Sequence, residues 1–256
     1  MTRASSFGKV YLIGAGPGAQ DLMTMRGARL LAQADVVLHD ALVTPEMLEL
    51  CPQAQKIPVG KRCGQLSMAQ AFINQQLIDH AGKHALVVRL KGGDPMLFGR
   101  ADEELRALEA EGIEVEIVPG ITTALAAAAA SKQPLTKRGV ARSVAFFTSS
   151  TAPEHPDQVA IPDCGTLVQY MGGREASITA RRLLESGRRA DTPVVVIENC
   201  SRPNQRVLRL ELDALAQGLD DAHGPVLVMV GDAMKTRERQ QLKLEDGEQS
   251  PDRHSV

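Results

Sequence analysis

Short apolar runs alternate with amphipathic stretches along this chain, and this alternation constrains the fold more than any other feature. Runs at 10–13, 36–38, 86–88 and 115–118 are rich in β-branched residues and lead into Gly, Asp or Pro, as buried strands do. Segments of helical period separate these runs. Because strand–helix alternation favours a largely parallel sheet with helices on its faces, the sequence predicts an α/β fold.

The second half of the chain repeats the pattern after a basic break that contains Pro134 and Gly139. We predict an N-terminal α/β domain at 1–133, a linker at 134–142 and a C-terminal α/β domain at 143–235. Residues 236–256 are polar and charged, without hydrophobic periodicity, and are predicted to form a disordered tail. Further strands are predicted at 143–148, 166–170, 193–197 and 226–230. One predicted helix contains Met23 and Ala34, which share a helical face. A second begins at a capping box formed by Ser67 and Gln70. Three more are predicted at 102–111, 124–130 and 176–185.

Composition excludes several classes of function. The chain has 256 residues with 29 basic and 31 acidic side chains, a formal charge of −2 that points to neither nucleic acid nor membrane. Aromatic residues are 3% of the chain, too few for base-stacking platforms. The four cysteines form no Cys-x-x-Cys pair and no histidines form His-x-x-x-His, so we expect no metal site. No apolar run approaches a membrane span and the start lacks a signal-peptide core, so we expect a cytoplasmic protein.

Two glycine-rich loops follow predicted strands. The loop at 14–19 fits the G-x-G-x-x-G/A pattern of dinucleotide-binding proteins, and Asp40 closes the second strand where such a fold places its ribose-binding acid. A nicotinamide or flavin protein is therefore one alternative, although Pro17 removes an N–H that a pyrophosphate would need. The loop at 88–100 combines Gly-Gly-Asp-Pro with flanking basic residues, and its glycines allow main chain to approach a ligand closely.

Cationic side chains gather near these predicted loops and the linker in otherwise neutral sequence. Arginine pairs well with carboxylates because its guanidinium can donate two parallel hydrogen bonds. The group therefore predicts a site for an anionic ligand. Its members are Lys61, Arg62, Arg89, Lys91, Arg100, Lys137, Arg138 and Arg142.

Over nearly its whole length the chain resembles uroporphyrinogen-III C-methyltransferases of the tetrapyrrole methylase superfamily. The opening Gly-Ala-Gly-Pro-Gly is shared across that superfamily. The Gly-Lys-Arg at 60–62, together with Arg-Leu-Lys-Gly-Gly-Asp-Pro and Phe-Gly-Arg at 89–100, is typical of a much narrower group of proteins. The segments that carry the resemblance are 14–18, 34–43, 59–62, 88–100, 118–122, 170–172 and 198–199.

The resemblance implies a two-domain tetrapyrrole methylase fold, with mixed or mostly parallel sheets and a ligand cleft between the domains. It implies transfer of two methyl groups from S-adenosylmethionine to uroporphyrinogen III, at C2 and then C7, giving precorrin-2 through precorrin-1, with S-adenosylhomocysteine as product. Asp40 matches the family's proton acceptor and Lys61 its proton donor. Arg62, Arg100, Glu103 and Arg138 match substrate-binding positions. The donor-binding positions are Pro17, Gly92, Gly93, Asp94, Leu97, Thr122, Thr123, Met171 and Cys200.

Since the sulfonium of the donor makes its methyl group electrophilic, no metal is needed, and we expect none. A homodimer is expected from the resemblance. No dehydrogenase or chelatase segment precedes residue 1, so we expect the stand-alone methyltransferase. Departures from the family pattern at Ala101, Lys137 and Cys200 bear on rate and substrate preference. Two further alternatives stay open: another tetrapyrrole methylase, such as a precorrin-4 methylase, and a catalytically inactive protein that binds a porphyrinoid.

Overall fold

The structure, a computed structural model, describes residues 7–60, 66–149, 159–219 and 222–236. Ten strands form two five-stranded sheets in this part of the chain. The first sheet contains β1 (Lys9–Gly14), β2 (Val36–His39), β3 (Gln55–Pro58), β4 (Leu86–Lys91) and β5 (Val115–Val118). The second contains β6 (Val144–Thr148), β7 (Thr166–Tyr170), β8 (Pro193–Glu198), β9 (Arg206–Glu211) and β10 (Val226–Val230). The predicted α/β class with mixed sheets is confirmed.

All strands of the first sheet run parallel, in the order β3-β2-β4-β1-β5. One face packs on α1 (Met25–Leu31) and α2 (Pro45–Leu48), and the other on α3 (Leu66–Ala81) and α4 (Ala101–Ala110). Because parallel strands are covered on both faces, their residues are buried almost continuously. Because the strands run in the same direction, the carboxyl ends of β1, β2, β4 and β5 lie at one edge of the sheet, where their loops come together.

The second sheet is mixed, in the order β6-β7-β10-β8-β9. The neighbouring strands β6 and β7 pair in parallel, and the other three neighbouring pairs are antiparallel. Its faces are covered by α5 (Thr123–Ser131) on one side and by α6 (Gly172–Glu185) and α7 (Leu212–Gln217) on the other. Since β10 is antiparallel to β7 and β8, its amino end lies at the same edge as their carboxyl ends. That edge carries the second half's contribution to the site described below.

The predicted domain bounds stay a prediction. By its place in the chain α5 belongs to the predicted N-terminal domain, but it packs against the second sheet. Ala124 and Ala127 of this helix are fully buried against Val195 and Met229 of the second sheet. The alanine-rich face allows the close approach that the sequence suggested, since methyl groups leave little between the backbones. The predicted disordered tail falls almost wholly outside the described residues.

Several element predictions need correction. Ser67 lies inside α3 rather than at its cap, because the helix already includes Leu66. The helix predicted at 176–185 begins earlier, at Gly172. Four elements have no counterpart among the predictions: β3, β9, α2 and α7. The two strands are half-exposed edge strands, and the two helices span only a turn or two.

Candidate functional site

A cavity of about 360 Å³ lies where the loop-bearing edges of the two sheets meet. This volume falls in the range of small-molecule sites. All nine predicted donor-binding residues line it: Pro17, Gly92, Gly93, Asp94, Leu97, Thr122, Thr123, Met171 and Cys200. The lining also includes residues that the sequence analysis did not assign to the site, which are Gly16, Leu42, Phe98, Tyr170, Asn199, Arg202, Pro225, Val226 and Leu227. Their position directly after strand ends was the signal that could have found most of them.

Main chain from two glycine loops forms the wall of this cavity on the first-sheet side. Gly16 and Gly93 exchange both main-chain hydrogen bonds, with N···O distances of 3.1 and 2.7 Å. A Cβ atom on Gly120 would lie 2.2 Å from the carbonyl oxygen of Gly93, and one on Gly14 would lie 2.5 Å from Gly120. Glycine is required at these positions because three loops approach each other without room for side chains.

Asp94 fixes the shape of the loop that carries Gly92 and Gly93. One carboxylate oxygen accepts a hydrogen bond from the N–H of Met96 at 2.8 Å, and the other accepts from the N–H of Gly120 at 2.9 Å. The side chain therefore connects the loop after β4 to the loop after β5. Hydrogen bonds from N–H groups to a carboxylate are among the stronger ones, so this connection stiffens the cavity wall.

Tyr170 contributes a wall from the second sheet. Its hydroxyl lies 2.5 Å from Oγ1 of Thr122 and accepts a hydrogen bond from the N–H of Ala124 at 3.1 Å, at the start of α5. Burial raises the pKa of Tyr170, so the hydroxyl stays protonated at neutral pH. The rings of Phe98 and Phe146 lie 5.0 and 6.0 Å from that of Tyr170. In a chain with so few aromatic residues, three of them thus lie together, and Phe98 and Tyr170 line the cavity.

Backbone in the left-handed region concentrates at this cavity. Phe98, Met171 and Asn199 line it with φ near +50°, and Arg100 and Ser201 adjoin them with φ of 55° and 59°. Bulky residues seldom adopt this conformation, and when they do the surrounding structure must hold them. Such residues cluster at ligand-binding sites, which supports the assignment of this cavity as the site.

The turn after β8 closes the cavity from the second half. Arg202 donates to the carbonyl oxygen of Leu42 at 2.9 Å, and the hydroxyl of Ser201 accepts from the N–H of Ala19 at 3.0 Å. Buried Glu198 accepts from the N–H groups of His223 and Gly224, both at 2.7 Å, which holds the segment before β10 in place. Burial raises the pKa of this carboxyl, but the two N–H groups and Arg206 outweigh burial, so its pKa is lowered.

Cys200 belongs to the apolar core under the second sheet while still contributing to the cavity lining. Its side chain is only 4% exposed, and burial raises the pKa of the thiol to about 11. The thiol is therefore neutral near pH 7 and behaves as a small apolar side chain.

The predicted proton acceptor lies at the carboxyl end of β2, outside the cavity lining. Its carboxylate Oδ1 accepts a hydrogen bond from Nη2 of Arg89 at 2.5 Å, and 29% of the Asp40 side chain is exposed. Leu42, two residues further on, does line the cavity. The predicted proton donor Lys61 and the predicted substrate residue Arg62 lie outside the described residues.

The other predicted substrate residues lie at the surface. Nε and Nη2 of Arg100 bind the two carboxylate oxygens of Glu103 at 2.6 and 2.7 Å, at the start of α4. Both side chains are more than a third exposed. Arg138 is exposed in the segment that precedes β6. The structure does not bring Arg138 into the cavity lining.

Two members of the predicted cationic group are not placed to bind a ligand. Arg89 and Lys91 are each 2% exposed, because they point from β4 into the interior rather than from a loop. Both bind the fully buried carboxylate of Glu104, at 2.9 and 2.8 Å. The inference that these two cations contact an anionic ligand was wrong, and the reason is that strand period 2 turns both toward α4.

The dinucleotide alternative is also wrong. The N–H groups of Ala15, Gly16 and Ala19 already donate to Lys91, Gly93 and Ser201, so the first loop does not present a cradle for a pyrophosphate. The first α-helix after the loop begins only at Met25, with Thr24 as its cap, whereas a dinucleotide fold places the helix directly behind the glycines. Asp40, the proposed ribose ligand, is bound to Arg89 instead.

A larger open depression of about 680 Å³ lies on the second half of the molecule, away from these residues. Two of its basic side chains are bound to main-chain carbonyls, Arg182 to Val159 at 2.9 Å and Arg188 to Cys164 at 3.1 Å. None of the predicted site residues lies there. We therefore place the functional site in the smaller cavity, where the predicted residues converge.

Neither a metal cluster nor a membrane span is found where the structure describes the chain. Residues 7–60, 66–149, 159–219 and 222–236 contain no group of three His, Cys, Asp or Glu side chains arranged to hold a metal ion. Within the same ranges, every helix is too short or too polar to cross a bilayer.

The sequence profile of the tetrapyrrole (corrin/porphyrin) methylases matches residues 9–216. The chain therefore belongs to the tetrapyrrole methylase family, and the predicted family and its enzyme class, methyltransferase, are confirmed.

Individual relatives agree with that assignment. The chain is similar to the uroporphyrin-III C-methyltransferase of Thermus thermophilus solved with S-adenosylhomocysteine, at 38% identity and a TM-score of 0.79 over 89% of this chain and 94% of that one. A cobalt precorrin-4 methyltransferase of cobalamin biosynthesis gives 27% identity and a TM-score of 0.75 over 92% and 100%. The siroheme synthase of Pseudomonas fluorescens SBW25 is 45% identical over 95% of this chain but 53% of its own length. The chain thus spans about half the length of the siroheme synthases that it matches.

Proposed function

We propose that the protein transfers methyl groups from S-adenosylmethionine to carbon atoms of uroporphyrinogen III, at C2 and then C7, giving precorrin-2 by way of precorrin-1. The observation that carries this proposal is the convergence of all nine predicted donor-binding residues on one cavity. The Thermus thermophilus relative solved with S-adenosylhomocysteine supports the same donor.

The cavity suits a sulfonium compound with an adenine ring. Its first-sheet wall is glycine main chain, whose carbonyl groups can contact a polarised methyl group through weak C–H···O interactions. Part of its second-sheet wall is apolar, with Met171, Val226 and Leu227 available to an adenine face. The enzyme's main task is to align a pyrrole carbon behind the methyl group, and such alignment can lower a barrier by about 7–11 kcal/mol.

In each transfer a carbon–carbon bond forms to the methyl group while the carbon–sulfur bond breaks. The electron pair stays on sulfur, so the sulfonium becomes the thioether of S-adenosylhomocysteine. Positive charge then develops on the macrocycle, which returns to neutrality by losing a proton. We propose that Asp40 accepts this proton and that Lys61 acts as the proton donor, as the family match implies.

The tetrapyrrole would occupy the open side of the cavity. Phe98, Phe146 and Met171 are partly exposed there and offer an apolar surface to the ring. The carboxylates of the substrate would bind Arg62, Arg100 and Arg138, with Glu103 orienting Arg100. We further propose that the protein is a cytoplasmic homodimer, as the family resemblance implies.

Incubation with uroporphyrinogen III and trideuteromethyl-labelled S-adenosylmethionine tests the proposal. Mass spectrometry of the product is expected to show two labelled methyl groups, with a monomethylated species at early times. The control omits the protein, because the substrate oxidises spontaneously. A product with no added methyl group would contradict the proposal, and calorimetry with the donor would then show whether the protein only binds.

A second candidate is methylation of a different tetrapyrrole. The cobalt precorrin-4 methyltransferase shares the fold over 92% of this chain, which favours this alternative over unrelated chemistry. Parallel incubations with precorrin-4 and uroporphyrinogen III distinguish the two. We expect turnover with uroporphyrinogen III alone.

A further inference from the structure

Four ionisable side chains, three of them buried, form a cluster at the carboxyl ends of β2 and β4. Nε of Arg89 binds Oε1 of Glu104 at 2.9 Å, while Nη2 of the same guanidinium binds Oδ1 of Asp40 at 2.5 Å. Nζ of Lys91 binds the other oxygen of Glu104 at 2.8 Å. Two cations therefore face two carboxylates, and the cluster as a whole is neutral.

Arg89 is held in one orientation. Its Nη1 also donates to the carbonyl oxygen of Leu90 at 3.2 Å, so the donors along the guanidinium are engaged on both sides. Glu104 is 0% exposed on α4 and receives a further contact from Gln70 on α3 at 3.4 Å. The planar fork of arginine can join two carboxylates at fixed angles, which lysine cannot do.

Asp40 is more exposed to solvent than the three charged side chains behind it. Arg89, Lys91 and Glu104 are sealed from solvent, whereas Asp40 keeps 29% of its side chain exposed, two residues before Leu42 of the cavity lining. Burial lowers the pKa of Arg89, but Asp40 and Glu104 outweigh burial and its pKa is raised, so the cation persists. Burial, followed by the charge of Arg89, lowers the pKa of Lys91.

Burying charges, as this cluster does with three of its four, is a poor way to stabilise a fold. Buried ion pairs often stabilise no more than apolar side chains of the same size, because removing charges from water offsets their attraction. Val87 lies two residues before Arg89 on the same face of β4 and is fully buried among apolar side chains, so that face accepts apolar residues. A role beyond stability is therefore the better explanation of the cluster.

We propose that Arg89, oriented by Glu104, is a positioning residue that fixes the carboxylate of Asp40 for proton transfer at the substrate. This inference rests on the proposed function, since it acts through the residue proposed to accept the proton. Arg89 itself touches neither donor nor substrate. Its effect is on the fraction of time that Asp40 spends in the reactive orientation.

A double-mutant cycle tests this role, because a residue that acts only through Asp40 has no further effect once Asp40 is disabled. The variants are Asp40→Asn, Arg89→Gln and the combination, each assayed for kcat, for KM of uroporphyrinogen III, and for donor affinity by calorimetry. We expect Asp40→Asn to lower kcat at least roughly 100-fold, Arg89→Gln to lower it by a similar or smaller factor, and the combination to be no slower than Asp40→Asn. Donor affinity is expected to change less than threefold.

A matched control and a milder variant keep the test independent of folding. Arg188→Gln removes another partly buried arginine that contacts a carbonyl group and a carboxylate, but far from the site, and is expected to leave kcat unchanged. Arg89→Lys keeps the charge without the fork and replaces Arg89→Gln in the cycle if the latter does not fold. It is expected to lower kcat by a smaller factor.

The outcomes separate this proposal from the one it rests on. Additive losses in kcat, full activity of Asp40→Asn, or a loss of donor affinity as large as the loss of kcat would overturn the positioning role while leaving the methyl transfer intact. A parent protein that transfers no methyl group would contradict the proposed function and this inference together.

Discussion

The two sheets of this protein differ in where their buried charges lie. The first sheet carries full charges into its interior, where Arg89 and Lys91 of β4 surround Glu104. The central strand of the second sheet, β10, is apolar at all five positions, and the polar network nearby is neutral, with Gln169 and Thr179 bound at 2.9 Å. Charge is concentrated behind the loops that we propose carry out proton transfer, whereas the second sheet keeps a buried carboxylate, Glu198, at the end of β8 beside Arg206.

The largest expected difference between the two halves is in stability. Glu104→Gln leaves two buried cations facing a neutral amide, so we expect a loss of about 3–5 kcal/mol in the free energy of unfolding. Thr179→Val removes only neutral hydrogen bonds to Gln169 and Ser149 and is expected to cost about 1–2 kcal/mol. Urea unfolding followed by circular dichroism measures both. Equal losses would show that the charges of the first half are not special.

The two halves also differ in how closely main chain packs around their glycines. Gly120→Ala places a Cβ atom 2.2 Å from the carbonyl oxygen of Gly93, so the loops that line the cavity must move apart. We expect donor affinity, measured by calorimetry, to fall at least tenfold. The matched change Gly173→Ala in α6 of the second half meets its nearest atom at 3.8 Å and improves helix propensity. A parallel loss of affinity in Gly173→Ala would contradict this account.

A third contrast is between the buried charges of the first half and the thiol of Cys200 in the second half, which stays neutral. Burial raises the pKa of Cys200 from its ordinary value of 9.0 to about 11, so the folded protein holds this proton more tightly than the unfolded chain. The resulting stabilisation is complete below pH 9 and is lost as pH rises toward 11, by on the order of 2 kcal/mol. The difference in unfolding free energy between the parent and Cys200→Ala should therefore shrink across that window. A difference that does not vary with pH would show that the thiol is not shielded as its burial indicates.

The extent to which sequence predicted this molecule follows from the same contrast. Central strands such as β4 and β10 were found because burial on both faces makes their residues apolar or β-branched, whereas the edge strand β9 alternates half-exposed residues with charges. The predicted donor-binding residues lie together because each follows a strand end, where chain order and sheet edge coincide. Family resemblance supplied their roles.

Arg89 and Lys91 show what sequence could not supply. Their position beside a glycine loop suggested a ligand site, but their direction depends on strand register and on Glu104, fifteen and thirteen residues further along the chain. Likewise, Phe98 meets Tyr170 only because the edges of the two sheets come together, which no local pattern encodes. Contacts between distant segments were thus the part that required the structure.

The smallest expected effect concerns the contact between the two halves at the cavity. Tyr170→Phe removes the hydroxyl that accepts from the N–H of Ala124 and pairs with Thr122, so α5 begins with a less satisfied turn beside the donor. We expect donor affinity to fall roughly fivefold, about 1 kcal/mol, with little change in overall stability. The chain's other tyrosine provides the control, since Tyr11 on β1 lies under the Nζ of Lys9 and away from the cavity. Tyr11→Phe should leave donor affinity unchanged, and an equal loss in both variants would show that the hydroxyl of Tyr170 does not hold the two halves in register at the site.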